Sequence, residues 1–308
     1  MNKGTFVQTN NEYGNLRSVL LGSAQNGAWP TKDENFNIAI SKSTFMGKPQ
    51  LGRWSDHVIR EATEDLNRFA DVMTNRGISV FRPIVKNNHW AYSARDIILT
   101  VGNKIIECPT PFISRSTELD LYPDLFDADC EIIRAPRPES ANDPMFDAAN
   151  VLKINDKLVY AISHSANEAG AKWLQEKVGT QFEVVPWKVI DYQITHIDST
   201  LLSLGPHTIL VNASRVKNHQ LPYFMQDFKK IWIKDVVARQ FQDFPFASKW
   251  IGINILCLDP NTVVIDEIQT DAISELKRNK FDVIALPMRQ SRTLGGGFHC
   301  VTCDLVRD

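Results

Sequence analysis

Residues 150–162 read NVLKINDKLVYAI. One apolar run stops at Asn155-Asp156 and a second begins after it. β-Branched and aromatic residues on both sides of a two-residue polar turn predict a β-hairpin. The pattern recurs along the chain. Residues 97–101 turn at Gly102-Asn103 into 104–108, residues 200–204 turn at Gly205-Pro206 into 208–211, and residues 254–258 turn at Asp259-Pro260-Asn261 into 262–265. The turns fall near 102, 155, 205 and 260, at intervals of 53, 50 and 55 residues. After each of the last three comes a stretch with helical spacing (167–178, 219–229, 270–280) and then a short strand (182–185, 231–233, 282–286). The unit is ββαβ, and a fixed period of this length predicts a closed repeat architecture.

The two ends supply a fifth unit. Residues 16–21 read as a strand, and 56–76 as a helix whose apolar face is Ile59, Ala62, Leu66, Phe69, Ala70 and Met73, ended by Gly77. A strand at 78–81 follows, and 299–306 is expected to pair with 16–21 and close the ring. The expected class is α/β, with residues 1–308 forming a single domain.

Bulk composition narrows the function. The 308 residues are 43% hydrophobic and 23% charged, with a formal net charge of -2. There is no basic excess to hold nucleic acid or an anionic membrane, and no apolar run approaches the roughly 20 residues of a membrane span. Residues 1–15 are polar and carry no signal or transit pattern, so a cytoplasmic location is expected. Cys108, Cys130, Cys257, Cys300 and Cys303 make an odd count, which argues against a disulfide framework and directs attention to a reactive thiol.

The repeat points to a site. At the start of the first strand of successive units stand Asp96, Asp147, His196 with Asp198, Ser248 with Lys249, and His299 with Cys300. In a pseudo-symmetric ring, equivalent positions face one axis, so acids, a histidine and a thiol would converge. Taken singly, each has an ordinary reading. Asp96 can pair with Arg95 at the surface, Asp147 can cap the turn at Asp143-Pro144, His196 can be a satisfied core histidine, and Cys300 a small buried apolar residue. Cys300-x-x-Cys303 lacks the further ligands a zinc site needs, and it lies at the C-terminal end without the helix that follows a thioredoxin-like pair. Gly295-Gly296-Gly297 is not followed by the Lys-Ser/Thr of a phosphate loop, and is read as allowing close backbone approach to a substrate.

Phe146-Asp147-Ala148-Ala149, His196-Ile197-Asp198, Ser248-Lys249-Trp250 and the tail from Leu294 to Asp304 resemble the glycine/inosamine amidinotransferases of the guanidino-modifying (pentein) superfamily. Arg95-Asp96-Ile97 and Asn212-Ala213-Ser214-Arg215 match as well, and the likeness runs from about Gly14 to the end. The resemblance implies a five-bladed α/β propeller of ββαβ repeats with pseudo-fivefold symmetry, which agrees with the repeat. It implies Cys300 as nucleophile, His196 as general acid/base and Asp147 as the carboxylate orienting it. Asp96 and Asp198 would hold a guanidinium, while Arg215 and Ser248 would hold the amino-acid end of the donor. The implied reaction moves the amidino group of L-arginine to an amine through an amidino-cysteine and releases L-ornithine. Glycine, giving guanidinoacetate, or another primary amine is the acceptor. No cofactor or metal is implied. The partners are small-molecule substrates, and a homodimer is an assembly open to it.

The chain departs from the family pattern at Asn150, where an acid is usual, at Ala247, in Gln193-Ile194-Thr195 before His196, and in a shorter stretch between Asp96 and Asp147. Thr195 is smaller than the methionine of glycine-using members, which suggests room for a bulkier amine. Residues 26–55 and 110–144 read as loops over the pocket. Two other readings are a guanidino hydrolase, in which water replaces the acceptor, and a protein that only binds guanidino compounds. The complete Cys300, His196 and Asp147 set favours the enzyme, and the tail favours the transferase.

Overall fold

A computed structural model describes residues 7–42, 51–87, 89–123, 125, 130–188, 196–234 and 251–308. In chain order its elements are β1 (Leu16–Leu21), β2 (Ala28–Trp29), α1 (Glu34–Lys42), β3 (Gly52–Arg53), α2 (Asp56–Thr74), β4 (Ser79–Phe81), β5 (Ile98–Val101), β6 (Lys104–Glu107) and β7 (Glu131–Arg134). Then come β8 (Val151–Ile154), β9 (Lys157–Ala161), α3 (Glu168–Val178), β10 (Glu183–Trp187), β11 (Leu201–Gly205), β12 (Thr208–Asn212) and β13 (Lys229–Ile233). The last are β14 (Leu256–Cys257), β15 (Thr262–Asp266), α4 (Thr270–Arg278), β16 (Asp282–Leu286), α5 (Ser291–Leu294) and β17 (Thr302–Arg307).

Five small sheets repeat one topology: β17-β1-β4, β5-β6-β7, β8-β9-β10, β11-β12-β13 and β14-β15-β16. In each, the first strand runs antiparallel to the second and the second parallel to the third. An antiparallel pair needs only a tight turn, whereas a parallel pair needs a crossover, and this is why hairpins alternate with longer connections. The expected pairing of the chain ends is present, with Leu16 opposite Arg307 and Leu21 opposite Thr302. First strands of neighbouring sheets pack side by side, β17 against β5 and β8 against β11.

The crossovers vary. Helix α2 starts at Ser55, whose side chain accepts a hydrogen bond from the Val58 amide, and buries Ala62, Leu66, Phe69 and Met73. Gly77 follows at φ 78°, a left-handed position that glycine takes without strain. Helix α3 is capped by the Asn167 side chain, which accepts from the Gly170 amide. The helix expected over 219–229 is absent. The 3-10 turns Asn218–Gln220 and Tyr223–Met225 stand there instead, broken at Pro222, which restricts Leu221 to extended backbone. Leu221 and Met225 still bury their side chains, so the apolar spacing reflects packing and not an α-helix.

The two stretches read as loops also contain structure. Residues 26–55 hold α1 and the short β2–β3 pair. Residues 110–144 hold 3-10 turns at Ile113–Arg115 and Glu118–Leu121, and β7, the edge strand of its sheet. Among the described residues no helix is long and apolar enough to cross a membrane.

Candidate active site

The segments leading into the first strands are stitched together. The Arg95 amide donates to the Cys300 carbonyl (3.1 Å) and the Ala148 amide to the Asp96 carbonyl (2.6 Å). Asp147 and His196 precede the 3-10 turns Ala148–Asn150 and Ile197–Ser199, and these turns pack on each other. Both residues have extended backbone, so their side chains leave the chain just before it tightens into the turn. Helix α2 anchors the last segment: Phe69 meets Phe298 edge-to-face at 4.8 Å, two residues before Cys300.

Cys300, Asp96, Asp147 and Asp198 are each at most 3% exposed, and the His196 side chain is 18% exposed. His196 Nε2 lies 3.1 Å from Asp147 Oδ2, and its Nδ1 lies 3.6 Å from Asp96 Oδ1. The Thr110 hydroxyl donates to the other Asp147 oxygen at 2.6 Å. Burial alone would lower the His196 pKa, but the Asp96, Asp147 and Asp198 carboxylates overcome it and raise it to about 9. The ring is therefore an imidazolium at neutral pH. The Cys300 thiol donates to Asp198 Oδ2 at 3.1 Å, and burial together with the charges of Asp198 and Asp96 holds it well above the ordinary thiol range. Burial opposes ionisation of Asp198, yet hydrogen bonding and charge from His299, with the charge of His196, hold its carboxyl below the usual range.

Five of the eight residues singled out from sequence for catalysis and binding thus meet in one cluster. Arg215, the sixth, stands beside it: its Nη1 donates to the hydroxyl of Ser199, next to Asp198, at 2.6 Å. Ser248 and Thr195, with Lys249, Ala247 and the 193–194 segment, lie outside the described residues. Asp96 is not the surface partner of Arg95. That arginine is buried and donates to Asp304 at 2.9 Å. Asp147 does not cap the Asp143-Pro144 turn, where Asp143 itself accepts from the amides of Glu139 and Ser140.

Besides Thr110, Asn254, Arg115 and His299 contact this cluster, and none of them was given a role from the sequence. Asn254 donates to Cys300 Sγ at 3.1 Å and accepts from the Cys300 amide at 2.9 Å, which fixes the thiol's direction. Asn254 stands two residues before β14, as Asp96 does before β5 and Cys300 before β17, so strict register would have found it. Arg115 pairs with Asp96 Oδ2, makes two bonds to Glu118 (2.5 and 2.8 Å), and lies 4.1 Å over the Trp90 ring. Asp96 Oδ1 makes no hydrogen bond among the described residues. His299, named above only for its place in the repeat, joins Asp198 at 3.0 Å and Glu12 at 3.1 Å.

Two of the three glycines lie tight against protein atoms. A Cβ on Gly296 would sit 2.9 Å from the Cys300 Cβ, and one on Gly297 would sit 2.9 Å from the Asn254 carbonyl oxygen. Gly297→Ala is therefore expected to cost about 1–3 kcal/mol by overpacking. Denaturant melts read this directly, and a midpoint equal to the parent's would contradict it.

A cavity of about 420 Å³ is lined among others by Asn35, Phe112, Met145 and His164; the five clustered side chains are not in its wall. Among the described residues no group of three or more His, Cys, Asp or Glu side chains is arranged to hold a metal ion.

No family model matches the sequence. The chain is, however, 35% identical to inosamine-phosphate amidinotransferase 1 of Streptomyces griseus, over 98% of this chain and 97% of that protein. The chain belongs to the amidinotransferase family. It is 30% identical to the L-arginine:L-lysine amidinotransferase of Pseudomonas savastanoi pv. phaseolicola, over 98% of this chain and 96% of that one. The solved structure of the inosamine-phosphate amidinotransferase superposes with a TM-score of 0.87 at 33% identity, covering 98% of this chain and 97% of the other. A dimethylarginine dimethylaminohydrolase from Pseudomonas aeruginosa, 15% identical, shares the fold of this amidinotransferase at a TM-score of 0.64, over 94% and 99% of the two chains. Asn150, where the family pattern carries an acid, is satisfied without a charge: it donates to Ser165 Oγ (2.9 Å) and accepts from Ser163 Oγ (3.0 Å).

Proposed function

We propose that this transferase moves the amidino group of L-arginine to an acceptor amine through a covalent adduct on Cys300, releasing L-ornithine. The observation that carries this reading is the meeting of the Cys300 thiol, the His196 imidazolium and the carboxylates of Asp96, Asp147 and Asp198. A planar guanidinium suits Asp198 and the remaining oxygen of Asp96. Its positive charge offsets the two carboxylates that hold Cys300 protonated, so the thiol loses its proton to solvent once the donor is bound. The thiolate forms a bond to the guanidino carbon. His196 gives its proton to the departing nitrogen, the carbon–nitrogen bond breaks, and ornithine leaves. The acceptor amine then gives a proton to neutral His196 and attacks, and the carbon–sulfur bond breaks. Asp147, steadied by Thr110, keeps the ring in place between the two steps.

Arg215 and Ser248 hold the amino-acid end of the donor, and Thr195 borders the acceptor. That acceptor is a primary amine. Glycine is a candidate, and the names of the relatives add inosamine phosphate and lysine, both larger amines, as the small Thr195 would allow. Five sheets of one topology, the pairing of β1 with β17 and the packing of β17 against β5 and β8 against β11 support a five-bladed propeller spanning 1–308 as one domain.

Incubation with arginine and an amine should yield ornithine with parallel double-reciprocal lines; citrulline as main product would move the chain to the hydrolases. Asp96→Asn and Asp198→Asn should each lower kcat/KM for arginine roughly ten- to hundredfold, the loss of one charged contact. Unchanged turnover in both would remove the carboxylate clamp.

A further inference from the structure

The mechanism above leaves His299 unused, although it is buried and its ring joins two acids. Nδ1 lies 3.0 Å from Asp198 Oδ2 and Nε2 lies 3.1 Å from Glu12 Oε2. Each ring nitrogen faces a carboxylate oxygen, and Asp198 Oδ2 is shared by the His299 ring and the Cys300 thiol.

We propose that His299 is a positioning residue for the transfer, its ring clamped between Glu12 and Asp198 so that it holds the Asp198 carboxylate against the Cys300 sulfur through both half-reactions. The proposal rests on the reading of Cys300 as nucleophile. Its physical basis is the moment at which the thiol loses its proton. The Asp198–sulfur contact then changes from a hydrogen bond to a meeting of two anions. Without a ring fixed on the same carboxylate oxygen, Asp198 would swing away and the guanidinium would lose one of its two anchors.

The clamp is itself braced. Glu12 accepts from the Lys153 amide (3.3 Å) and lies 3.7 Å from the Arg95 guanidinium. Arg95 also donates through Nε to the His299 carbonyl at 2.9 Å, so backbone and side chain of this residue are tied to one network. The charged and titratable groups around the ring are Asp198, Glu12, Arg95, Lys153, Cys300 and, in the small space beside it, Cys257, whose thiol is pushed by burial up to about 12. Glu12 lies 287 positions from His299, which brings the N-terminal segment into the site.

The test uses the full chain and the alkylation of Cys300 by iodoacetamide, read by peptide mass at a series of pH values. In His299→Gln, alkylation of Cys300 and formation of its arginine adduct should slow roughly ten- to hundredfold, with the alkylation profile moved to higher pH. Glu12→Gln, which loosens the other anchor of the ring, should change both in the same direction by less. A His299→Gln chain with the parent's rates overturns the proposal. So does one that melts earlier but keeps the parent's pH profile, since that marks a purely structural role. A parent chain that forms no adduct with arginine rejects the nucleophile reading instead, while alkylation still decides the role of His299.

Discussion

Cys300→Ala should lower amidino transfer by roughly ten-thousandfold or more, with no adduct detectable after mixing with arginine. The loss is chemical, because an alanine removes only the sulfur from a site whose backbone is held by Asn254 and Arg95. Melting behaviour should therefore stay near the parent's, and circular dichroism separates the two outcomes. Cys303 provides the control. Its thiol donates to the Ile98 carbonyl at 3.1 Å and does not touch the cluster, so Cys303→Ala should keep forming the adduct on Cys300. Turnover by Cys300→Ala, or an adduct found on Cys303, would reject the assignment.

The second large effect belongs to His196. Removing a positioned acid/base group costs typically about a hundred- to ten-thousandfold, and His196→Asn should fall in that range in both half-reactions. The pH dependence fixes the sign. The folded-state pKa of His196 is raised to about 9 from an ordinary value near 6.5. Ornithine departure needs the imidazolium, so its rate should hold through neutral pH and decline as pH rises through about 9. Stability follows the same direction. The favourable interaction of this ring with its acids is complete below about 6.5 and is lost as pH rises through about 9. His196→Asn should remove this term from the alkaline melting profile. A rate that climbs steadily past that pH, with no decline, would mean that a neutral ring suffices.

The hairpins were legible in the sequence because their signal is local: β-branched runs flanking a turn recur at a near-constant interval. Strands 16–21 and 282–286 match the structure residue for residue. The crossovers were less legible. The apolar residues of 219–229 mimic helical spacing, but Pro222 and tertiary packing select 3-10 turns. Strand β7, whose Glu131 and Arg134 are exposed and whose two isoleucines are half-buried, shows no alternation to reveal it. The same division holds at the site. Asp96, Asp147, His196, Asp198 and Cys300 share a register and were found together. Arg115 reaches Asp96 from a crossover, and Glu12 reaches His299 from the far end of the chain. No local pattern marks such contacts, because what pairs them is burial of charge in the finished fold.

The pairing of β17 with β1 has a consequence for how the protein comes into being. Leu16 sits opposite Arg307, so this sheet joins the most distant parts of the described sequence, and closing so long a loop is slow compared with forming a local hairpin. During synthesis β1 and its parallel neighbour β4 are available early, but the first strand of their sheet emerges last. Until then β1 keeps one open edge bearing Leu16, Val19, Leu20 and Leu21, all buried in the finished fold. The Cys300 thiol arrives on the same late segment. The acids and histidine that govern it are thus translated before it, and the strand that delivers the sulfur is also the one that seals the exposed edge.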